Sequence, residues 1–137
     1  MPGRMGSPAL KLKIQWLCGD AIAMGPGKAD LLDAIVREGS ISGAGRAMGM
    51  SYRRTWLLVD EMNRCWSSPL VETFPGHGRR GGARVTDEGL AVLDRYRAMQ
   101  AEALAAASPA FSQIAALLRD TPLAHQREGA TAAPPQD

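Results

Sequence analysis

A mainly α fold with a small β component is what this sequence predicts, on three observations. Apolar residues recur at helical spacing in successive stretches, each preceded by a serine, threonine or proline that suits a helix start. Two short runs, Leu70 to Thr73 and Ala83 to Val85, read as the strands of a hairpin joined by FPGHGRRGG. Near the N-terminus, Leu10, Leu12, Ile14 and Trp16 alternate with Lys11, Lys13 and Gln15, the period of two expected of a half-buried strand over Leu10 to Leu17.

Residues 1–9 read as a flexible leader ahead of that strand. After Gly25, Pro26 and Gly27, a first helix is expected from about Lys28 to Arg37. Leu31, Leu32, Ala34, Ile35 and Val36 supply its apolar side, Asp30, Asp33 and Arg37 its solvent side, and Gly39 its stop. A second helix begins after Ser40 or Ser42, either able to cap it, buries Ile41, Ala44, Ala47 and Met48, and ends at Gly49. A third follows Ser51 and reaches about Arg64. Thr55, Leu58, Val59 and Met62 form its core face; Arg53, Leu57, Asp60 and Arg64 lie opposite, with Tyr52 and Trp56 on one flank.

Thr86 caps a long helix, and Asp87 and Glu88 in its first turn suit the helix dipole. Along it Val92, Tyr96, Met99, Ala103 and Ala106 make a coiled-coil-like seam, with Leu90, Leu93 and Leu104 beside it. Two apolar lines on one helix call for a second copy, so Leu90, Val92, Leu93, Tyr96, Met99 and Ala103 are the expected dimerisation residues. Ser108 and Pro109 form an N-cap and N1 pair, which predicts a separate short helix over 108–119 carrying Phe111, Ile114, Ala115 and Leu118. Residues 120–137, rich in proline and alanine, read as a disordered tail. Residues 10–107 thus form one domain: short helix, glycine turn, amphipathic helix, basic hairpin, long helix. That order is a winged helix-turn-helix with a long C-terminal dimerisation helix.

Composition narrows the function classes. At 137 residues, 45% hydrophobic and 22% charged, the chain has the balance of a globular domain with one core. The net charge of +2 argues nothing by itself, but Arg46, Arg53, Arg54, Arg64, Arg79, Arg80 and Arg84 crowd between Ser40 and Arg84 against only Asp60, Glu61 and Glu72. Cys18 and Cys65 have neither metal-ligand spacing nor the look of a disulfide framework, and Cys65 reads as a small buried thiol. His77 and His125 stand in no ligand cluster, so neither metal nor cofactor is expected. Gly25 to Lys28 imitates the end of a P-loop, but Ile22 and Ala29 stand where that motif needs glycine and Ser or Thr. With no nucleophile–base pair the chain is not expected to be an enzyme. Neither a membrane span nor a signal peptide is legible, and a cytoplasmic location is the default.

The remaining chemistry points to double-stranded DNA. Arg53 can give two parallel hydrogen bonds to guanine O6 and N7, and Tyr52 offers a hydroxyl and a ring to a base or phosphate. Arg54 lies round the helix from Arg53 and suits a phosphate. Trp56 either completes the core or leans on the sugar-phosphate backbone, and the pattern leaves both open. The first amides of the second and third helices, with Ser40, Ser42 and Ser51, make anion sites. His77, Arg79 and Arg80, flanked by glycines, form a wing that can meet the neighbouring backbone.

SISGAGRAMGMSYRRTW, continued by Met62 and Asn63, LVET at Leu70 to Thr73, the glycine-rich hairpin and GARVT at Gly82 to Thr86, resembles the N-terminal DNA-binding domain of ModE-type molybdate-responsive transcription regulators. The likeness runs from about Leu10 to Ala107, with a more distant one to LysR-type domains. It implies a homodimer on a two-fold operator, with Ser51, Tyr52, Arg53 and Trp56 on the recognition helix and Gly78 to Gly82 on the wing. Only a short helix and a tail are expected after the long helix, with no oxyanion-binding domain, so molybdate is not an expected ligand here. The alternative is a winged-helix interaction module that has lost DNA binding and pairs with another regulator.

Overall fold

A computed structural model describes residues 9–75 and 82–125 of the chain. Its elements run β1 (Trp16–Cys18), β2 (Ala21–Met24), α1 (Pro26–Glu38), α2 (Ile41–Ala47), α3 (Tyr52–Cys65), β3 (Val71–Phe74), β4 (Gly82–Val85) and α4 (Asp87–Ser112), closed by a 3-10 turn at Ala115–Leu117. Two separate antiparallel pairs, β1–β2 and β3–β4, flank the helices, so the fold is mainly α with a small β component. A helix-turn-helix followed by a hairpin and a long helix is the winged arrangement expected.

Local chemistry accounts for the helix limits. Pro26 takes the first turn of α1, where its missing N–H costs nothing. Gly39 ends α1 with φ at 73°, a conformation that spares glycine the Cβ clash, and its N–H reaches Ile35 O at 2.8 Å. Of the two candidate caps for α2, Ser40 is the one used: its Oγ accepts from Gly43 N at 2.9 Å. Ser51 accepts from Arg54 N at 3.0 Å and Thr86 from Gly89 N at 3.0 Å, as their positions predicted.

One core joins the elements. Leu31, Leu32, Ala34 and Ile35 of α1 meet Ile41 and Ala44 of α2, Val59 and Met62 of α3, and Leu93 and Tyr96 of α4. Each large side chain removed from water there contributes roughly 1.5–3 kcal/mol. Gly45 is buried where α2 crosses α3, and a Cβ there would run into the Thr55 side chain. Asn63 closes the turn from α3 into β3, accepting from Leu70 N at 2.9 Å and Val71 N at 3.1 Å while donating to Val71 O at 3.0 Å. Ala83 N donates to Gly39 O at 2.9 Å, tying the second hairpin to the end of α1.

Several sequence expectations are corrected. The N-terminal ladder spans only Trp16–Cys18, and its partner Ala21–Met24 was not anticipated. Upstream, Leu10, Leu12 and Ile14 keep their alternating half-burial without a strand partner, because the extended chain lies along α4. The Tyr96 hydroxyl donates to Ile14 O at 2.6 Å there, and burial pushes that phenol up, so it stays protonated. Val36 and Ala47 are exposed rather than buried. No separate helix begins at Ser108: α4 runs through Pro109 to Ser112. The Ser108 Oγ donates back to Leu104 O at 2.6 Å, and in place of a helix over 108–119 only the turn at Ala115–Leu117 follows. The alanine-rich run before Pro109 is helix-favouring enough to carry one missing N–H on an exposed stretch. Asp120 to His125 are exposed and outside any helix or strand; the leader to residue 8 and the tail from residue 126 lie outside the described residues.

Candidate nucleic-acid interface

Helix α3 presents its polar side because its other side is committed. Thr55, Val59 and Met62 are buried and Leu58 is half-buried, which turns Arg53, Leu57, Asp60 and Arg64 outward. Thr55 is satisfied at depth by donating to Ser51 O at 2.7 Å, which also secures the first turn. Tyr52, 59% exposed, and Arg53 and Arg54 stand on that turn in the open. The Tyr52 ring meets Trp56 edge-on, with 6.3 Å between centroids. Trp56 is half-buried, packs on the core and also lines the groove beside it.

That groove, about 410 Å³, runs between the start of α2, the first turns of α3 and the end of β3. Ser40, Ser42, Tyr52 and Trp56 line it. Phe74 lines it too, 45% exposed at the end of β3, and sequence reasoning missed it. Its signal was available: an aromatic directly after LVET and before the glycine-rich loop. Exposed Leu57, one turn beyond Arg53, was assigned no role either, although its methyls sit on the same outward line.

Electrostatics sharpen the picture. Every acidic residue of the arginine-rich section is engaged: Asp60 with Arg64 at 2.9 Å, Glu72 with Arg84 at 3.0 Å, and Glu61 with Lys28 at 2.8 Å. Glu61 also accepts from Ile22 N at 3.2 Å; chiefly the Lys28 ammonium holds its carboxyl below the usual range. Among the described residues Arg46, Arg53 and Arg54 make no ion pair, so the outward face of α2–α3 carries uncompensated positive charge. Ser40 and Ser51 each satisfy one helix amide, leaving the others of each first turn without intrahelical partners. Phosphate oxygens fit such a surface. His77, Arg79 and Arg80 lie outside the described residues; the strands that lead to them, β3 and β4, pair in register from Val71–Val85 to Phe74–Gly82.

The expected dimerisation residues do not act together. Tyr96 is fully buried and Leu93 nearly so, both inside the core of this one chain, and Val92 packs half-buried against that core. Leu93 and Tyr96 are therefore not a seam for a second copy. The hairpin β1–β2 and α1 cover this part of α4: Trp16 meets the Tyr96 ring at 5.3 Å, and Arg97 bonds Asp30 at 2.8 Å and Asp33 at 2.6 Å. Leu90 and Met99 remain exposed and Ala103 half-buried.

No helix among the described residues is long and apolar enough to cross a membrane. No group of three or more potential metal ligands occurs among them.

No family model matches the chain. Curated relatives do. The chain is 43% identical over 70 residues to the molybdenum-pterin-binding protein MopA of Rhodobacter capsulatus, covering 51% of this chain and 26% of that protein. It is 40% identical over 72 residues to the molybdenum transport protein ModE of Azotobacter vinelandii, 53% and 27% of the two chains. To the DNA-binding transcriptional dual regulator ModE of Escherichia coli K12 it is 35% identical over 71 residues, 52% and 27%. The shared stretch thus spans about a quarter of the length of these relatives, and none is named as an enzyme. Among solved structures the chain is similar to full-length LTTR LysG of Corynebacterium glutamicum with bound effector Arg, at 29% identity and TM-score 0.47, covering 66% of this chain and 30% of that one. It is also similar to the DNA-binding domain of CbnR in complex with DNA, at 21% identity and TM-score 0.47, covering 66% and 95%. The sequence resemblance to ModE-type regulators therefore extends over half of this chain.

Proposed function

We propose that this chain reads double-stranded DNA for transcription regulation, and does so as a homodimer on a two-fold operator. One observation carries the reading. The first turn of α3 holds Tyr52, Arg53 and Arg54 exposed and without acidic partners among the described residues, on a helix whose opposite face, Thr55, Val59 and Met62, is committed to the core. Its similarity to a relative named as a DNA-binding transcriptional regulator supports the same assignment.

In this reading α3 enters the major groove. Arg53 reads a guanine, Tyr52 contacts an adjoining base or phosphate, and Arg54 with the first-turn amides at Ser40, Ser42 and Ser51 grips phosphates. Trp56 and Phe74 form the floor on which a sugar-phosphate strand rests. His77, Arg79 and Arg80 of the hairpin loop clamp the neighbouring backbone. Pairing of two copies uses the exposed parts of α4, at Leu90, Met99, Ala103 and Leu104, with Val92 behind them; Met99 Sδ also accepts from the chain's own Trp16 Nε1 at 3.2 Å. Oxyanion sensing is not assigned to these residues, and titration with molybdate or tungstate should give no heat beyond dilution.

Selection of bound sequences from a random DNA pool, followed by gel-shift titration at low and moderate salt, tests the proposal. A recovered two-fold motif bound roughly a thousandfold or more tighter than random DNA is expected. The same exposed apolar residues, Leu90, Met99 and Leu104, would equally serve a second reading, an interaction module without DNA binding. Recovery of no preferred sequence would establish that reading instead.

A further inference from the structure

Cys18 ends β1 and is exposed; Cys65 ends α3 and is half-buried. They stand 47 positions apart in sequence, yet three contacts fold their surroundings together. Glu61, one turn before Cys65 on the same face of α3, accepts from Ile22 N at 3.2 Å. Trp66 Nε1, next to Cys65, donates to Ala23 O at 3.1 Å. Trp16, two residues before Cys18, meets the Trp66 ring edge-on at 6.0 Å. Cys18 pairs with Ala21 in the same hairpin, so the hairpin that carries one thiol lies against the helix end that carries the other. Burial pushes the Cys65 thiol up, and the facing Cys18 thiol adds to the rise.

We propose that Cys18 and Cys65 are a reversible redox pair, converted by hydrogen peroxide to an intramolecular disulfide that staples the first hairpin to the C-terminal end of α3. The exposed Cys18 reacts first. Its thiolate attacks one peroxide oxygen, the O–O bond breaks, and sulfenic acid forms with release of hydroxide that leaves as water. The Cys65 sulfur then attacks the Cys18 sulfur, the S–O bond breaks, and the hydroxyl departs as water with the Cys65 proton. Two thiols and one peroxide become one disulfide and two waters: the sulfurs are oxidised and the peroxide reduced. The staple would act on α3 from the end opposite Tyr52 and Arg53. The chemistry stands whether or not the chain binds DNA.

The test uses the reduced full chain treated with equimolar hydrogen peroxide, alkylated, digested and mapped by mass. A peptide joining Cys18 to Cys65, on a chain that stays monomeric under denaturing non-reducing conditions and reverts with dithiothreitol, is the expected result. An interchain disulfide, or Cys18 driven to sulfinic acid beside an unmodified Cys65, would overturn it. In the reduced wild-type protein, iodoacetamide should label Cys18 at least about tenfold faster than Cys65, as exposure and thiolate access require; equal rates contradict the assigned order. Cys65→Ser should leave a sulfenic acid on Cys18 that dimedone traps, while Cys18→Ser should leave Cys65 a free thiol at the same dose.

Discussion

Along α3 every turn buries one side and shows another: Thr55, Val59 and Met62 lie inside while Arg53, Leu57 and Asp60 lie outside. Along α4 burial ends at Tyr96, although the helix continues to Ser112. The two helices look alike as amphipathic patterns, but their own chain completes only one of them. Held along its whole length, α3 is a rigid mount whose outer residues are spared for a ligand. Beyond Arg97, α4 leaves Met99 and Leu104 only partly covered, Met99 Sδ accepting from Trp16 Nε1 at 3.2 Å and Leu104 lying beside Leu10 and Leu12, and in our proposal a second copy takes the remaining surface.

Breaking the mount of α3 should have the largest effect. Met62→Ala empties a fully buried site and should cost about 2–5 kcal/mol, read as a lower urea midpoint at unchanged slope. Next comes the ion pair behind it. Glu61→Gln leaves the buried Lys28 without its counter-charge and should cost roughly 1.5–3 kcal/mol at neutral pH. Because folding lowers the Glu61 pKa, that contribution is complete above the ordinary carboxylate range and fades as pH falls through the lowered value. The variant should therefore show a flatter acid limb in urea melts recorded against pH. On the other helix, Leu104→Glu should leave the unfolding midpoint within about 0.5 kcal/mol of wild type. It should nevertheless weaken self-association about tenfold, close to 1.4 kcal/mol, in sedimentation equilibrium. A loss of stability with unchanged association would mean that the distal α4 serves its own chain after all.

How much of this was legible in sequence depends on range. The three side-chain caps Ser40, Ser51 and Thr86, the stop at Gly39 and the core face of α3 are local patterns, and each stands where the spacing put it. Lys28 is the counterexample: its burial depends on Glu61, 33 residues on, and no local pattern announces such a partner. The same holds for Leu93 and Tyr96, whose spacing fits a dimer seam as well as it fits a core covered by Trp16 and Ile14. β2 was missed because four residues, AIAM, are too few and too uniformly apolar to alternate. Ser108 and Pro109 carry the signature of a helix start, yet the alanine-rich helix before them runs through. Of the candidate site, the α3 residues and caps were legible as an exposed group, whereas Phe74 joins them only through the register of β3 on β4.

In our proposal the outer first turn of α3 reads bases rather than merely carrying charge. Measuring Arg53→Ala on the selected DNA site and on random DNA, at one salt concentration, tests it most directly. An unchanged unfolding midpoint is expected, with a loss of about 1–3 kcal/mol on the selected site, confined to one base position in each half-site, and little loss on random DNA. Equal losses on both DNAs would contradict it, for Arg53 would then be a phosphate contact and the reading turn would lie elsewhere.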